Sequence, residues 1–200
     1  MDPAPLRLFL IRHGETEWSL SGQHTGRTDL ALTRGGEDQA RALEPVLRAI
    51  HFDHVLTSPA CRAQRTCALA GLGGSVEIEP DLAEWDYGAY EGRTSGDIRQ
   101  ERPGWNVFHD GCPGGESVEA VSERADRLIM RSAALRGNVA LFSSGQFGCS
   151  LAARWIGLPV LQAQHLMLGT ASVSVLAYNP NHPAMRVIAH WNHAATDPLL

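Results

Sequence analysis

Short, nearly continuous apolar runs alternate along this chain with longer stretches whose apolar residues recur every three or four positions. The first run, Leu6-Arg7-Leu8-Phe9-Leu10-Ile11, reads as a buried strand and stops at the turn Arg12-His13-Gly14. A polar, Gly-containing loop follows from Glu15 to about Leu32. Thr33 is placed to cap a helix reaching about Ile50, with Ala40, Leu43, Val46, Leu47 and Ile50 on one face. Pro45 inside that stretch predicts a kink or an early break. Val55-Leu56-Thr57 is a short strand, and Ser58-Pro59 reads as a helix start with Arg62 in or near its first turn. Residues 76–78 form a third strand. Residues 81–115, rich in Gly, aromatics and acids, read as a long functional loop with a short helix near 94–101. Helical spacing returns over 117–135, a buried strand covers 139–143, and a helix follows Ser144-Gly145 to about Trp155. Two last strands, 172–178 and 185–189, flank the turn sequence Asn179-Pro180-Asn181-His182-Pro183.

Strands alternating with helices predict a three-layer α/β/α fold: a mostly parallel sheet covered on both faces, with an antiparallel edge from the final pair. The 200 residues, 44% hydrophobic and 20% charged, suit one domain spanning 1–200. In such sheets ligands bind beyond the carboxyl ends of the strands, so Arg12-His13-Gly14, residues 58–62 and Ser144-Gly145 converge on one rim. A net charge of −5 argues against nucleic-acid or anionic-membrane partners. No apolar run approaches the ~20 residues of a membrane span. The opening Met1-Asp2-Pro3-Ala4-Pro5 lacks a positive leader region, which points to a cytoplasmic protein. Cys61, Cys67, Cys112 and Cys149 form no Cys-x-x-Cys pair and read as reduced thiols, Cys149 near the pocket on a buried helix. His190 and His193 lack an obvious third ligand, so no metal is expected, though His190 lies within possible reach of the rim.

The rim carries its own chemistry. Arg12 and Arg62 supply permanently charged forks suited to phosphate or carboxylate. Gly14 lets backbone approach a ligand closely, and the helix after Ser58 points its positive end the same way. His13 adds a nitrogen nucleophile or base. Trp18, Trp85 and Trp105 read as pocket or cap packing.

At this point the motifs resemble a known family. Arg12-His13-Gly14-Glu15-Thr16-Glu17-Trp18 is similar to the signature of the histidine phosphatase superfamily, the phosphoglycerate mutase-like proteins. The likeness continues through residues 21–29, Leu32-Thr33, Ser58-Pro59 with Arg62, Glu84-Trp85-Asp86-Tyr87-Gly88, Tyr90-Glu91-Gly92, residues 110–117 and Thr170-Ala171-Ser172. It is greatest to the small sugar-bisphosphatases and acid phosphatases. The resemblance implies His13 as the nucleophile, Arg12 and Arg62 on the phosphoryl oxygens, and Glu84 as acid and then base. It also implies substrate contacts from Ser19, Thr25, Gly26 and Tyr87, a cap over about 91–115 too short for a mutase, and no cofactor.

One wall departs from the family pattern. Where a second histidine, a further histidine and an arginine are usual, this chain has Ser144, Gln146 and Cys149. Ser144 and Gly145 are retained as substrate contacts, but the wall has lost positive charge. Because His13, Arg12, Arg62 and Glu84 remain, the main expectation is a degenerate phosphate site repurposed for acid–base chemistry. Cyclisation, isomerisation or dehydration of a small carbonyl-bearing metabolite would suit it. A slow phosphomonoesterase using His13, or a non-catalytic metabolite binder, are the alternatives. The partner expected is a small-molecule substrate, with a homodimer left open.

Overall fold

The computed structural model describes residues 5–195; the opening residues 1–4, read above as no leader, lie outside them. Six strands, β1 (Arg7–Arg12), β2 (His54–Thr57), β3 (Glu77–Ile78), β4 (Asn138–Ser143), β5 (Val173–Asn179) and β6 (His182–His193), form one sheet in the order β3-β2-β4-β1-β5-β6. The first four in that order run parallel, while β5 is antiparallel to β1 and β6 to β5. This is the α/β architecture predicted, antiparallel edge included.

The central strands are continuous apolar runs because helices cover both faces. Leu8, Leu10, Val139 and Leu141 join one core with Val121, Ala125 and Leu128. Phe9, Ile11, Ala140 and Phe142 alternate to the other face, against Leu43, Leu47, Ala63 and Cys67. Each fully buried Leu, Ile, Val or Phe among them contributes about 1.5–3 kcal/mol of transfer free energy.

The described residues also hold eight α-helices, α1 (Glu17–Ser21), α2 (Arg34–Ala42), α3 (Glu44–Arg48), α4 (Cys61–Cys67), α5 (Ser95–Glu101), α6 (Val107–Asp110), α7 (Val118–Ala133) and α8 (Gly145–Trp155), together with four short 3-10 or π turns. The helix expected over 33–50 breaks at Leu43, and Pro45 falls in the first turn of α3, where its missing N–H has no intrahelical partner to lose. Thr33 caps α2 as predicted, accepting from Gly36 N. Two expectations need correction. The loop from Glu15 contains α1, capped by a reciprocal Thr16–Ser19 pair. Ser58-Pro59 does not start a helix: α4 begins at Cys61, whose N–H is capped by Asp29 Oδ1 at 2.8 Å.

The last strand is longer than the expected 185–189. Its pairing to β5 shifts register near the end, Val173 facing His193 and Val175 facing His190. Asn192 sits there with φ of 58°, its Oδ1 accepting from Gly169 N and its own N–H donating to Ser174 Oγ. Among the described residues no helix is long and apolar enough to cross a membrane, and the four cysteines are unpaired.

Candidate active site

Strand register builds the rim. Arg12 is paired with Ser143 and Thr57 with Phe142, so the turns after β1, β2 and β4 leave the sheet at one level. His13 N donates to Ser143 O and Ser58 N to Phe142 O, fixing those turns side by side. Gly14 follows because no side chain fits: a Cβ there would lie 2.3 Å from Gly36 O.

His13 is buried. Its Nδ1 is 2.7 Å from Gly14 O. A carbonyl only accepts, so Nδ1 carries the proton and Nε2 keeps its lone pair. Burial, reinforced by Arg12 and Arg62, holds the imidazole pKa well below 6.5, so the ring is neutral at pH 7.

Arg62 is fully buried and Arg12 half-buried, and both donate to neutral backbone carbonyls. Arg12 Nη1 donates to Leu168 O. Arg62, fully buried, donates to Thr28 O, Thr25 O and Gly26 O, each at 3.1 Å. Thr66 couples this helix to the histidine turn, accepting from Gly14 N and donating to Arg62 O. Two guanidiniums without carboxylate ion pairs beside one imidazole make a site with surplus positive charge.

Glu84 supplies the carboxylate. Its Oε1 accepts from Trp85 N at 2.8 Å and Phe147 N at 2.7 Å, and its Oε2 accepts from Gln146 N at 3.0 Å. It therefore sits at the N-terminus of α8, where the helix's unsatisfied N–H groups and dipole favour an anion. Arg124 holds the segment that carries it, donating to both oxygens of Glu116 and to the carbonyls of Asp81 and Ala83, while Glu116 accepts from Asp86 N.

A cavity of about 210 Å³ brings Arg12, His13, Ser19, Thr25, Glu84 and Tyr87 to one wall system. Trp18, read as pocket or cap packing, and Gln146, read on the altered wall, both line it; Thr16, Gln23, His24 and Ser95 line it too and were not assigned to the site from sequence. Gly26 lies on an adjoining cavity of about 400 Å³ that also reaches Glu84. Arg62 stands behind the 25–28 loop and does not line the smaller cavity. Ser144 lies behind it too, its buried Oγ without a hydrogen-bond partner. Gly145 packs on Arg12: a Cβ there would be 3.4 Å from Cζ.

Residues 92–94 are tied to the loop after α1 by a Gln23–Thr94 bridge and by paired bonds between His24 and residues 92 and 93, and Ser95 beside them lines the cavity. His24 stacks on Tyr87 with ring centroids 4.5 Å apart. Burial lowers the His24 pKa to about 4 and pushes the Tyr87 phenol well above 10. Glu91 fixes the facing loop, accepting from Gly26 N and Thr28 N. His190 lies on β6, edge-on to His193, away from this cavity. No cluster of potential metal ligands occurs among the described residues.

The sequence model of the histidine phosphatase superfamily (branch 1) matches residues 8–191. The chain is 38% identical over 191 residues to an acid phosphatase of Mycobacterium tuberculosis, covering 94% of each. It is 37% identical to sedoheptulose 1,7-bisphosphatase of Saccharomyces cerevisiae, over 77% of this chain and 69% of that one. Among solved structures, alpha-ribazole phosphatase from Shigella flexneri superposes with a TM-score of 0.81 at 32% identity, over 94% of this chain and 96% of that one.

These similarities overturn the expectation of acid–base chemistry on a carbonyl-bearing metabolite, because the relatives are named for phosphate-ester hydrolysis. Arg12 and Arg62 beside His13 keep the site cationic whatever stands at 144, 146 and 149.

Proposed function

The chain belongs to branch 1 of the histidine phosphatase superfamily, and from that membership we propose that this enzyme hydrolyses small phosphate monoesters, of the sugar-phosphate kind, through a phosphohistidine at His13. The bond from His13 Nδ1–H to Gly14 O carries this reading, because it leaves Nε2 bare beside the Arg12 and Arg62 guanidiniums. Nε2 attacks phosphorus, the N–P bond forms, and the ester P–O bond breaks as Glu84, protonated by the incoming ester monoanion, passes that proton to the departing alcohol oxygen. Water then attacks phosphorus, Glu84 takes a proton from it, and the N–P bond breaks to release inorganic phosphate. Arg12, Arg62 and the Gly145 N–H, which has no intrahelical acceptor, balance charge on the phosphoryl oxygens in both steps. Ser19, Thr25, Gly26 and Tyr87 contact the remainder of the ester.

Ser144 stands, in this reading, where the family carries its second histidine, with Gln146 and Cys149 at two further cationic positions. The partnerless Oγ of Ser144 at the end of β4, one residue from the Arg12 contact, supports that assignment. Losing one such donor costs about 10²–10³-fold in rate, so turnover is slow. The test is alkaline denaturing-quench mass spectrometry and p-nitrophenyl phosphate hydrolysis by wild type, His13→Ala and Ser144→His. Phosphate on His13, loss of hydrolysis in His13→Ala, and at least a tenfold gain in Ser144→His are expected. Undetectable hydrolysis in both wild type and Ser144→His would sink the reading.

A further inference from the structure

Two cavities meet at Glu84. The smaller, with His13 and Arg12 on its wall, has about 210 Å³, roughly seven water volumes at ~30 Å³ each. A phosphoryl group and the first atoms of its ester fill most of that. The larger, about 400 Å³, continues from the same carboxylate, and consecutive residues bridge the two: Thr25 lines one and Gly26 the other. A group protonated by Glu84 therefore has its carbon skeleton beside the larger space.

The charge on that second wall is lopsided. Asp29, Glu84, Asp86 and Glu116 face only Arg27 and Arg124. Both guanidiniums are already engaged, Arg27 with Asp86 at 2.7 Å and Arg124 with Glu116 at 2.8 Å. Among the described residues neither Asp29 nor Glu84 has a cationic side chain within ion-pair distance; Asp29 accepts from the backbone N–H of Cys61 and faces its thiol. Nor can a long ammonium swing in, because the chain contains no lysine and all its 17 Lys+Arg residues are arginine.

We propose that the larger cavity receives the alcohol half of the substrate and rejects a second phosphate, so that the enzyme selects monophosphate esters of neutral polyols over bisphosphates. This assignment rests on the phosphatase reading above. It does not follow from kinship, since one relative is named as a bisphosphatase. A second phosphate entering the wall would meet uncompensated carboxylates without a free cation, and like-charge juxtaposition in a partly desolvated pocket is strongly unfavourable.

The experiment compares kcat/KM, from initial rates of phosphate release, for fructose 6-phosphate and fructose 1,6-bisphosphate, with p-nitrophenyl phosphate as the general substrate. Wild type is set against Asp29→Asn, Asp86→Asn and the double variant. Asparagine keeps the Oδ1 acceptors that bind Cys61 N and Gly88 N, so the local turns survive, and p-nitrophenyl phosphate turnover reports that each variant is folded. Wild type should prefer the monophosphate at least tenfold. The bisphosphate-to-monophosphate ratio should rise roughly tenfold in the double variant, where Arg27 is also released. Equal or better use of the bisphosphate by wild type, or a ratio unmoved by the double substitution, overturns the subsite while p-nitrophenyl phosphate turnover leaves the phosphatase reading standing. Absence of turnover on all three esters removes both.

Discussion

Replacing Arg124 by methionine separates the positioning of Glu84 from the binding of phosphate. The guanidinium makes two 2.8 Å bonds to Glu116, bonds of 2.9 and 2.6 Å to the carbonyls of Asp81 and Ala83, and a longer 3.4 Å bond to Glu84 O. Its Cζ lies 4.1 Å from the Phe147 ring centroid, so methionine keeps an apolar contact there. Loss of the charge strands Glu116 and frees three carbonyls. Breaking a buried pair costs 3–5 kcal/mol, and because the Glu116 side chain keeps 21% exposure, about 3 kcal/mol is the reasonable figure. The catalytic effect comes from drift of the 81–86 segment. A displacement of ~1 Å costs about 100-fold in a positioned step, here proton delivery to the leaving oxygen. An alkyl phosphate needs that proton, whereas p-nitrophenolate departs largely without it. Urea titration should show the stability loss, and kcat on glycerol phosphate should fall about 100-fold while p-nitrophenyl phosphate falls far less. Equal losses on the two esters would refute the reasoning, since general destabilisation does not distinguish leaving groups.

Three further outcomes follow from the geometry. Because burial holds His24 near pH 4 in the folded state, the unfolded chain takes up a proton first as pH falls; the His24 share of stability should be unchanged above 6.5 and fall by at most about 3 kcal/mol between 6.5 and 4, on top of any loss from His13. Urea midpoints of wild type and His24→Phe across that range check it, the variant lacking that part of the slope. The Cε1 resonance of His13 should stay at its neutral position through pH 6.5 in NMR titration of the free enzyme, given a pKa held well below the ordinary value; a midpoint near 6.5 would contradict the burial argument. Gly14→Ala drives a Cβ to within 2.3 Å of Gly36 O, so backbone must move and turnover should be lost; unchanged turnover would show that the two loops are not locked.

The strands and the rim were legible because both rest on local signals. Leu8–Ile11 is apolar on both faces, and its end dictates where Arg12 and His13 emerge. Thr33 announced its helix through a hydroxyl cap. The cap of α4 was illegible because Asp29, 32 residues earlier, supplies it and leaves Ser58 beside the helix instead of at its head. α1 was missed because its capping box uses Ser19 where Glu or Gln is the usual partner. Gln146 offered a sequence signal only through its side chain. What matters structurally is its N–H and that of Phe147, which nearly any residue provides. The Arg124–Glu116 clamp, formed across eight residues of sequence, left no pattern at all.

The irregular pairing of β6 bears on how copies of this molecule behave at high concentration. Its outer rim offers backbone groups along twelve residues, a length that would template strand addition if it were flat. The register shifts against β5 and the left-handed Asn192 bend that ribbon. An incoming strand would lose alignment before it could zip along the full border, which shields the sheet from growing into fibrils at this margin.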